Sequence, residues 1–313
     1  MKSAIKTILI IIEAILIIFL TISVVFLYRG RDKAVETMGT ADAVTDSEES
    51  VERKVNDNYY KLSGKKILLE DGTYGEIWIP VLENVPAFSK NIDQLKSRNG
   101  RKFYVEDSKI TSLLGVDVSV HQDNIDWAKV KESGIDFAMV RLGYRGYGTG
   151  EAQLDENYAE NIQGARDAGL DAGVYFFSQA ITAEEAVEEA NLVIESLDGL
   201  DVNYPVVYDW EIIYDDTART DNISVDVLTD CCVAFCETIK NAGYTPMIYQ
   251  NKRTSIFKLD LNRLNDYDFW LAEYNTEPTY YYDFDMWQYT STGRVPGIEG
   301  DVDLNISFKD YSK

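Results

Sequence analysis

Nearly every position in residues 8–27 is apolar (ILIIIEAILIIFLTISVVFL), and Glu13 is the single charge in the run. About 20 such residues are what a helix needs to cross a hydrocarbon core of roughly 30 Å. The run is longer than the apolar region of a signal peptide, and no small-x-small cleavage pattern follows it. Residues 1–28 are therefore expected to form an N-terminal tail and a retained transmembrane anchor. Lys2 and Lys6 precede the run and Arg29, Arg31 and Lys33 follow it, so the flanking charges do not orient it. Glu13 fits either a functional intramembrane group or a tolerated polar residue.

Residues 29–58 lose all apolar periodicity and include the acidic stretch DSEES, the pattern of a solvated linker. Short apolar runs return over residues 59–110. KILLEDGTYGEIWIPVLENV breaks at Asp-Gly and Tyr-Gly and predicts a hairpin, and GRKFYVEDSKI predicts another short strand. This stretch reads as a small β-rich module or as an extension packed on the next domain.

Residues 111–313 alternate strand and helix patterns. Strands are predicted at LLGVDVS, FAMVRLG, AGVYFFS, YPVVYDWE, TPMIYQ, FWLAEY, MWQYT and DVDLNISF. Helices are predicted near 127–133 with Asp126 as cap, over 156–168 ending at Gly169, from Thr182 with Glu185 three residues on, and over 224–241 ending at Gly243. Alternating β and α elements imply a parallel sheet, and eight strands in about two hundred residues suit a closed barrel with a helix-poor second half. A doubly wound open sheet is the competing arrangement.

Composition narrows the function. The formal net charge is −23, from 53 acidic and 30 basic residues, which repels phosphate backbones and speaks against a nucleic-acid partner. Much of this acidity can be plain solubility. The three cysteines, Cys231, Cys232 and Cys236, crowd one predicted helix without metal-ligand spacing and read as buried small apolar residues. One histidine, His121, is too few for a histidine-based metal site. Neither G-x-G-x-x-G nor a Walker A pattern occurs, so no cofactor is expected.

The ends of the predicted strands concentrate acids: Asp117 in the first, Asp209 and Glu211 in the fourth and Asp303 in the last. Barrel active sites lie at the C-terminal strand ends. Residues i and i+2 of a strand share a face at about 6–7 Å. Asp209 and Glu211 so placed suit glycosidase chemistry, in which one carboxyl gives a proton and another stabilises positive charge or directs a nucleophile. Arg141, Tyr175, Ser178, Glu273, Tyr274, Trp287 and Gln288 stand at other strand ends. Tyr144, Tyr147, Tyr249, Tyr289, Trp210 and Trp270 add aromatic faces of the kind that pack on sugar rings. Each acid alone could equally cap a turn, each aromatic could be barrel core, and clustered oxygens also bind divalent cations.

Five separated segments in order carry a resemblance: GVDVSVHQDNIDWAKVKESGIDFAMVRLGYRG, AGVYFFSQA, YPVVYDWE, FWLAEY and MWQYTSTGRVPGIEGDVDLN. The chain resembles the glycoside hydrolase family 25 lysozymes over about residues 114–308. The resemblance implies an α/β fold, an irregular TIM-like (β/α)5(β)3 barrel, here preceded by the transmembrane helix and the β-rich module. It implies N-acetylmuramidase activity, cleavage of the β-1,4 bond between N-acetylmuramic acid and N-acetylglucosamine in peptidoglycan. Glu211 matches the family's proton donor, Asp209 its partner carboxylate, and Asp117 and Asp303 its two other site acids. Tyr175, Arg141, Tyr249, Trp270, Tyr274, Trp287 and Gln288 are expected to contact substrate, and His121 to lie beside the site without a catalytic role.

The partners so implied are peptidoglycan, the lipid bilayer through the N-terminal helix, and cell-envelope machinery. A wall substrate would put the barrel outside a single-pass anchor in the cell membrane. The competing readings are a non-catalytic glycan-binding scaffold on the same fold and a different glycosidase. A deacetylase would want a metal held by histidines.

Overall fold

The computed structural model describes residues 51–313 apart from 56, 57, 64, 65 and 73. The expected anchor over residues 8–27 lies outside the described residues. No helix among the described residues is long and apolar enough to cross a membrane.

Strands β1 (Val51–Val55), β2 (Asn58–Ser63), β3 (Lys66–Asp71) and β4 (Gly75–Pro80) form an antiparallel meander. β3 and β4 are the hairpin predicted around Asp-Gly, with Ile67 opposite Ile79 and Asp71 opposite Gly75. The meander starts at Val51, inside the segment read from its polarity as linker, because β1 pairs with β2 through the backbone. A second antiparallel sheet contains β5 (Leu95–Arg98), β6 (Arg101–Glu106) and β7 (Lys109–Ile110). This region is seated on the rest of the described chain through aromatic contacts: Phe88 stacks on Phe284 at 4.1 Å and Tyr104 meets Phe308 edge-on at 5.4 Å. The Asp71–Arg253 ion pair at 2.6 Å adds a polar tie.

The remainder runs β8 (Leu113–Val118), α1 (Trp127–Glu132), β9 (Phe137–Arg145), β10 (Ala152–Leu154), α2 (Tyr158–Asp167), β11 (Asp171–Ser178), α3 (Ala183–Ser196), β12 (Val206–Trp210) and α4 (Val225–Asn241). It continues with β13 (Pro246–Asn251), α5 (Lys252–Lys258), β14 (Asp268–Ala272), β15 (Met286–Gly293) and β16 (Val302–Ser307). Strands β8, β9, β11, β12, β13, β14, β15 and β16 neighbour one another in that order, and β16 pairs back onto β8. The barrel is closed, which excludes the open doubly wound sheet. Five strand–helix units precede three strands, the (β/α)5(β)3 order implied by the resemblance.

The expected all-parallel sheet fails at the last strand. β16 is antiparallel to both β15 and β8. Only residues 294–301 separate β15 from β16. A parallel crossover needs a dozen residues or more, so a connection this short must reverse the chain. The spur β10, which pairs with β9, is three residues long and too short to show a period in the sequence.

Helix caps form at the expected Asp126 and Thr182, and Ser224 adds a third. Asp126 accepts from Lys129 N, Thr182 from Glu185 N and Ser224 from Val227 N. The Glu185 carboxylate reaches back to Ile181 N at 2.9 Å. Inside the barrel, Phe137, Met139, Val207, Met247, Trp270 and Met286 form one apolar cluster, while a larger one fills the space between strands and helices. Gly115 makes room for the Phe137 ring, since a Cβ there would stand 2.2 Å from it. Cys231, Cys232 and Cys236 are free and buried in α4, as expected of small apolar residues.

At the end of β9, buried Arg145 ties the strand to α3. It donates to Glu189 Oε1 at 2.6 Å, Glu188 Oε2 at 2.8 Å, Glu185 O at 3.1 Å and Gly150 O at 2.7 Å. The Glu189 side chain is wholly buried. Truncating one partner of a buried pair strands the other charge. Arg145→Ala is therefore expected to lower unfolding stability by about 3–5 kcal/mol, read by denaturant titration of tryptophan fluorescence.

Candidate active site

Strand alternation decides which side chains meet in the barrel mouth. In β12, Val207 belongs to the interior cluster while Tyr208 and Trp210 pack outward. Asp209 shares the inward parity, and Glu211 follows one residue beyond the strand on the same parity. In β8 the outward residues are Leu114, Val116 and Val118, which turns Asp117 inward. In β16 the outward residues are Val302, Leu304 and Ile306, which turns Asp303 and Asn305 inward. Because β16 runs backward, its first residues lie at the same end of the barrel as the last residues of β8. Asp303 is the register partner of Asp117. The structure thus brings together all four acids named from the sequence.

Asp117 is the anchor of a buried network. Its Oδ2 accepts from Gln288 Nε2 at 2.9 Å and Asn305 Nδ2 at 2.7 Å. Gln288 Oε1 in turn accepts from the hydroxyls of Tyr249 at 2.8 Å and Tyr274 at 2.9 Å. Asn305 Oδ1 accepts from Trp270 Nε1 at 2.9 Å. These bonds fix both amide orientations, so each amide presents its N–H to Asp117. Asp209 is also buried, and its Oδ1 has no hydrogen-bond partner. Glu211 is half-buried, and its backbone carbonyl is held by Gln179 Nε2 at 3.0 Å.

Burial and mutual repulsion push the protons onto this cluster. Asp117 is raised well above the usual carboxylate range by burial and then by Asp303, against the pull of Asn305 and Gln288. Burial, then Glu211 and Asp117, raises Asp209, with Arg141 opposing. Glu211 is raised by burial and by Asp303. Asp303 is pushed up to about 6, chiefly by burial. Carboxylates that repel one another titrate as one system, which holds its protons to higher pH than a free acid does.

The other named residues divide by position. Arg141 faces the mouth from β9 and is clamped on Asp155, with Nε and Nη2 both 2.8 Å from Oδ2. Tyr175 and Tyr249 meet the Trp270 ring edge-on, at 6.3 and 4.8 Å between centroids. Trp270 is itself buried and forms the floor beneath them. Tyr274 is 55% exposed and free to meet a ligand while its hydroxyl holds Gln288. Trp287 is a correction: it is fully buried in the outward cluster, with Nε1 on Glu273 O at 2.8 Å, and offers no face to the mouth. It stands next to inward Gln288, and adjacent strand residues cannot share a face. Ser178 is buried, and Glu273 bonds Thr279 N at 2.8 Å. His121 is exposed on the lip of a cleft.

Sequence reasoning missed Asn305 and Asp155. Asn305 had a signal, since it lies two residues from Asp303 and shares its face. Asp155 had none, because it sits in the turn after β10.

Two clefts adjoin the mouth, neither lined by the four acids themselves. One, of about 760 Å³, shares Arg141 and includes Tyr144, Tyr147 and His121. The other, of about 750 Å³, shares Tyr274 and lies against the β5–β6 turn. An extended ligand crossing the acids would have space on both sides. Among the described residues, no group of three or more His, Cys, Asp or Glu side chains is placed to hold a metal ion.

Comparison with known proteins places this arrangement. The autolytic lysozyme of Clostridium acetobutylicum is 27% identical over 195 residues, covering 62% of this chain and 55% of that protein. Lysozyme M1 of Streptomyces globisporus is 26% identical over 208 residues, covering 62% and 67%. The chain thus spans about half the length of the first relative and two thirds of the second. Among solved structures, the modular autolysin LytC of Streptococcus pneumoniae, in complex with a synthetic peptidoglycan ligand, aligns with a TM-score of 0.55 at 24% identity. That alignment covers 78% of this chain and 56% of the other. A family 25 glycosyl hydrolase of Bacillus anthracis aligns at 0.51 and 20% identity, covering 68% and 96%. At these identities the likeness establishes the fold. The family model for glycosyl hydrolases family 25 matches residues 116–298, more than half of the 313 residues. That segment includes Asp117, Asp209 and Glu211 and ends before Asp303. The chain belongs to glycosyl hydrolases family 25.

Proposed function

We propose that this chain is a peptidoglycan hydrolase that cleaves the β-1,4 bond between N-acetylmuramic acid and N-acetylglucosamine. The observation that carries the reading is the inward Asp209–Glu211 pair, set opposite Asp117 and Asp303 in one barrel mouth. The lysozymes among its relatives support the substrate class.

Glu211 is the proton donor. It stands at the strand end with its carboxyl pKa raised, so the acid form persists to higher pH. Its proton passes to the glycosidic oxygen as the C1–O bond breaks and positive charge grows at the anomeric carbon. Asp209 stabilises that charge or orients the substrate's 2-acetamido group, whose carbonyl oxygen then attacks C1. Water then attacks C1 as its proton passes to the Glu211 carboxylate, and any bond from the acetamido oxygen to C1 breaks to restore the acetamide. Asp117, held by Gln288 and Asn305, and Asp303 set the field in which Glu211 titrates.

That field gives a pH signature. The donor must be protonated, so activity falls as pH rises through the Glu211 pKa. Asp303 raises that pKa by repelling the anion. Removing its charge makes Glu211 a stronger acid. Asp303→Asn is therefore expected to move the alkaline limb of kcat against pH to lower pH, and an unmoved limb would contradict the coupling.

The protein acts at the cell membrane, with residues 1–28 as anchor and the polar stretch before β1 as linker. The barrel, residues 111–313, and the adjoining 59–110 region work outside, on the wall, for remodelling or lysis. Cell-envelope machinery is the partner expected for a tethered wall-cutting enzyme. The support is the apolar run 8–27 together with the location of the substrate. Two measurements test the proposal. Detergent-solubilised full chain should release reducing ends from purified peptidoglycan, and wall binding without any turnover would favour the glycan-binding scaffold instead. Protease added to cells stripped of wall should remove the barrel, and full protection would overturn the topology.

A further inference from the structure

The cleft on the Tyr274 side of the mouth has a charge opposite to that of the protein. Arg101, Lys102 and Arg294 line it, and no carboxylate does. In a chain of net charge −23 this concentration of cations needs a cause. Arg294 pairs with Asp301 at 2.9 Å and is largely exposed. Neither Arg101 nor Lys102 forms an ion pair with any described carboxylate. Both are half-buried and held by uncharged groups. The Arg101 guanidinium donates to Ser133 O and, at 3.2 Å, to Ser133 Oγ. The Lys102 ammonium donates to Thr276 O and lies 5.5 Å from the centre of the Trp287 ring. Burial lowers the Lys102 pKa, against the raising effect of Glu277.

These cations are therefore positioned but not neutralised. Arg101 has five N–H donors and spends two, and Lys102 keeps two of three. Such groups attract an anion, and their fixed placement reduces the ordering cost of binding one. The cleft joins the catalytic mouth through Tyr274, whose hydroxyl leads by Gln288 to Asp117. Its far wall is the β5–β6 turn, outside the segment 116–298 that the family model matches.

We propose that this cleft is a subsite for the carboxylate-bearing peptide that branches from the glycan strand being cut, with Arg101 and Lys102 as its cationic contacts. The inference rests on the peptidoglycan reading and gives the region 59–110 a role in substrate selection. A glycan strand crossing the mouth carries its lactyl-linked peptides to the side, and only an anionic branch gains from this wall.

The test reads binding, so that it stands apart from turnover. Full-length protein carrying Glu211→Gln is mixed with insoluble peptidoglycan freed of phosphate polymers. One sample keeps its peptide carboxylates free and the other, still cross-linked, has been stripped of their charge by carbodiimide-mediated amidation. Retention on the charged material should exceed that on the stripped material by about fivefold, the scale of two partly exposed ion pairs, and should weaken with salt. Arg101→Gln with Lys102→Gln should bring it down to the stripped level, while Lys102→Arg should retain the difference. Arg294→Gln, on an exposed position already paired with Asp301, should leave the difference in place. Equal retention on both materials would overturn the subsite. So would a loss in the double variant that is the same on the stripped material, or retention that follows phosphate polymers in untreated walls. Carboxylate-dependent retention in a protein whose wild type releases no reducing ends would uphold the subsite and overturn only the muramidase activity.

Discussion

Glu211→Gln should reduce the release of reducing ends from peptidoglycan by about 10²–10⁴-fold, the range over which a positioned general acid contributes. The amide fills the same space and cannot give a proton. The loss should fall on kcat, because the substitution leaves the clefts on either side of the mouth untouched. Stability separates this loss from unfolding. A carboxyl whose folded pKa is raised disfavours the folded state once pH exceeds its unfolded value of about 4.5, and the cost grows until the folded group also ionises. Removing the carboxyl therefore leaves the protein at least as stable at neutral pH, and its thermal midpoint should hold or rise. An inactive variant with a lowered midpoint would say nothing for the donor role, while an active variant would remove it.

Asp209→Asn should lower kcat by about 10²–10³-fold, the scale of removing one preorganised group that stabilises charge in a transition state. Asp209 is buried beside Glu211, with one oxygen unbonded and Arg141 as its counterweight. The amide keeps the shape, loses the anion and places donors where an acceptor is wanted. An aryl glycoside of the same sugar separates the two carboxyl roles. Its leaving group departs without protonation, so the Glu211→Gln variant should recover much of its rate on bond cleavage. Asp209→Asn should not recover, because positive charge still develops at the anomeric carbon. Equal recovery in both variants would contradict the division of labour.

Much of this site was legible because strand parity and acid spacing are local properties. Asp209 and Glu211 two apart in an apolar strand share one face, and the caps at Asp126 and Thr182 followed from side-chain chemistry. Asp303 does lie in the mouth, opposite Asp117, but its route there was not readable as a parallel strand end. It arrives there because β16 reverses, and the signal was the short 294–301 connection. Trp287 and Gln288 were both assigned to the ligand although neighbours on a strand point apart, and Trp287 proves to be core. Asp155, which positions Arg141, belongs to a turn where no period exists. The Arg101–Lys102 wall depends on how the β5–β6 turn packs across the barrel, a contact between residues far apart in sequence.

The central claim is that the four-acid mouth hydrolyses one particular linkage. Mass analysis of the soluble products formed by the full chain from purified, chemically reduced peptidoglycan tests it most directly. The account predicts new reducing ends that are N-acetylmuramic acid, absent when Glu211→Gln replaces the wild type. New reducing ends that are N-acetylglucosamine, or the same muramic ends from the Glu211→Gln protein, would contradict it.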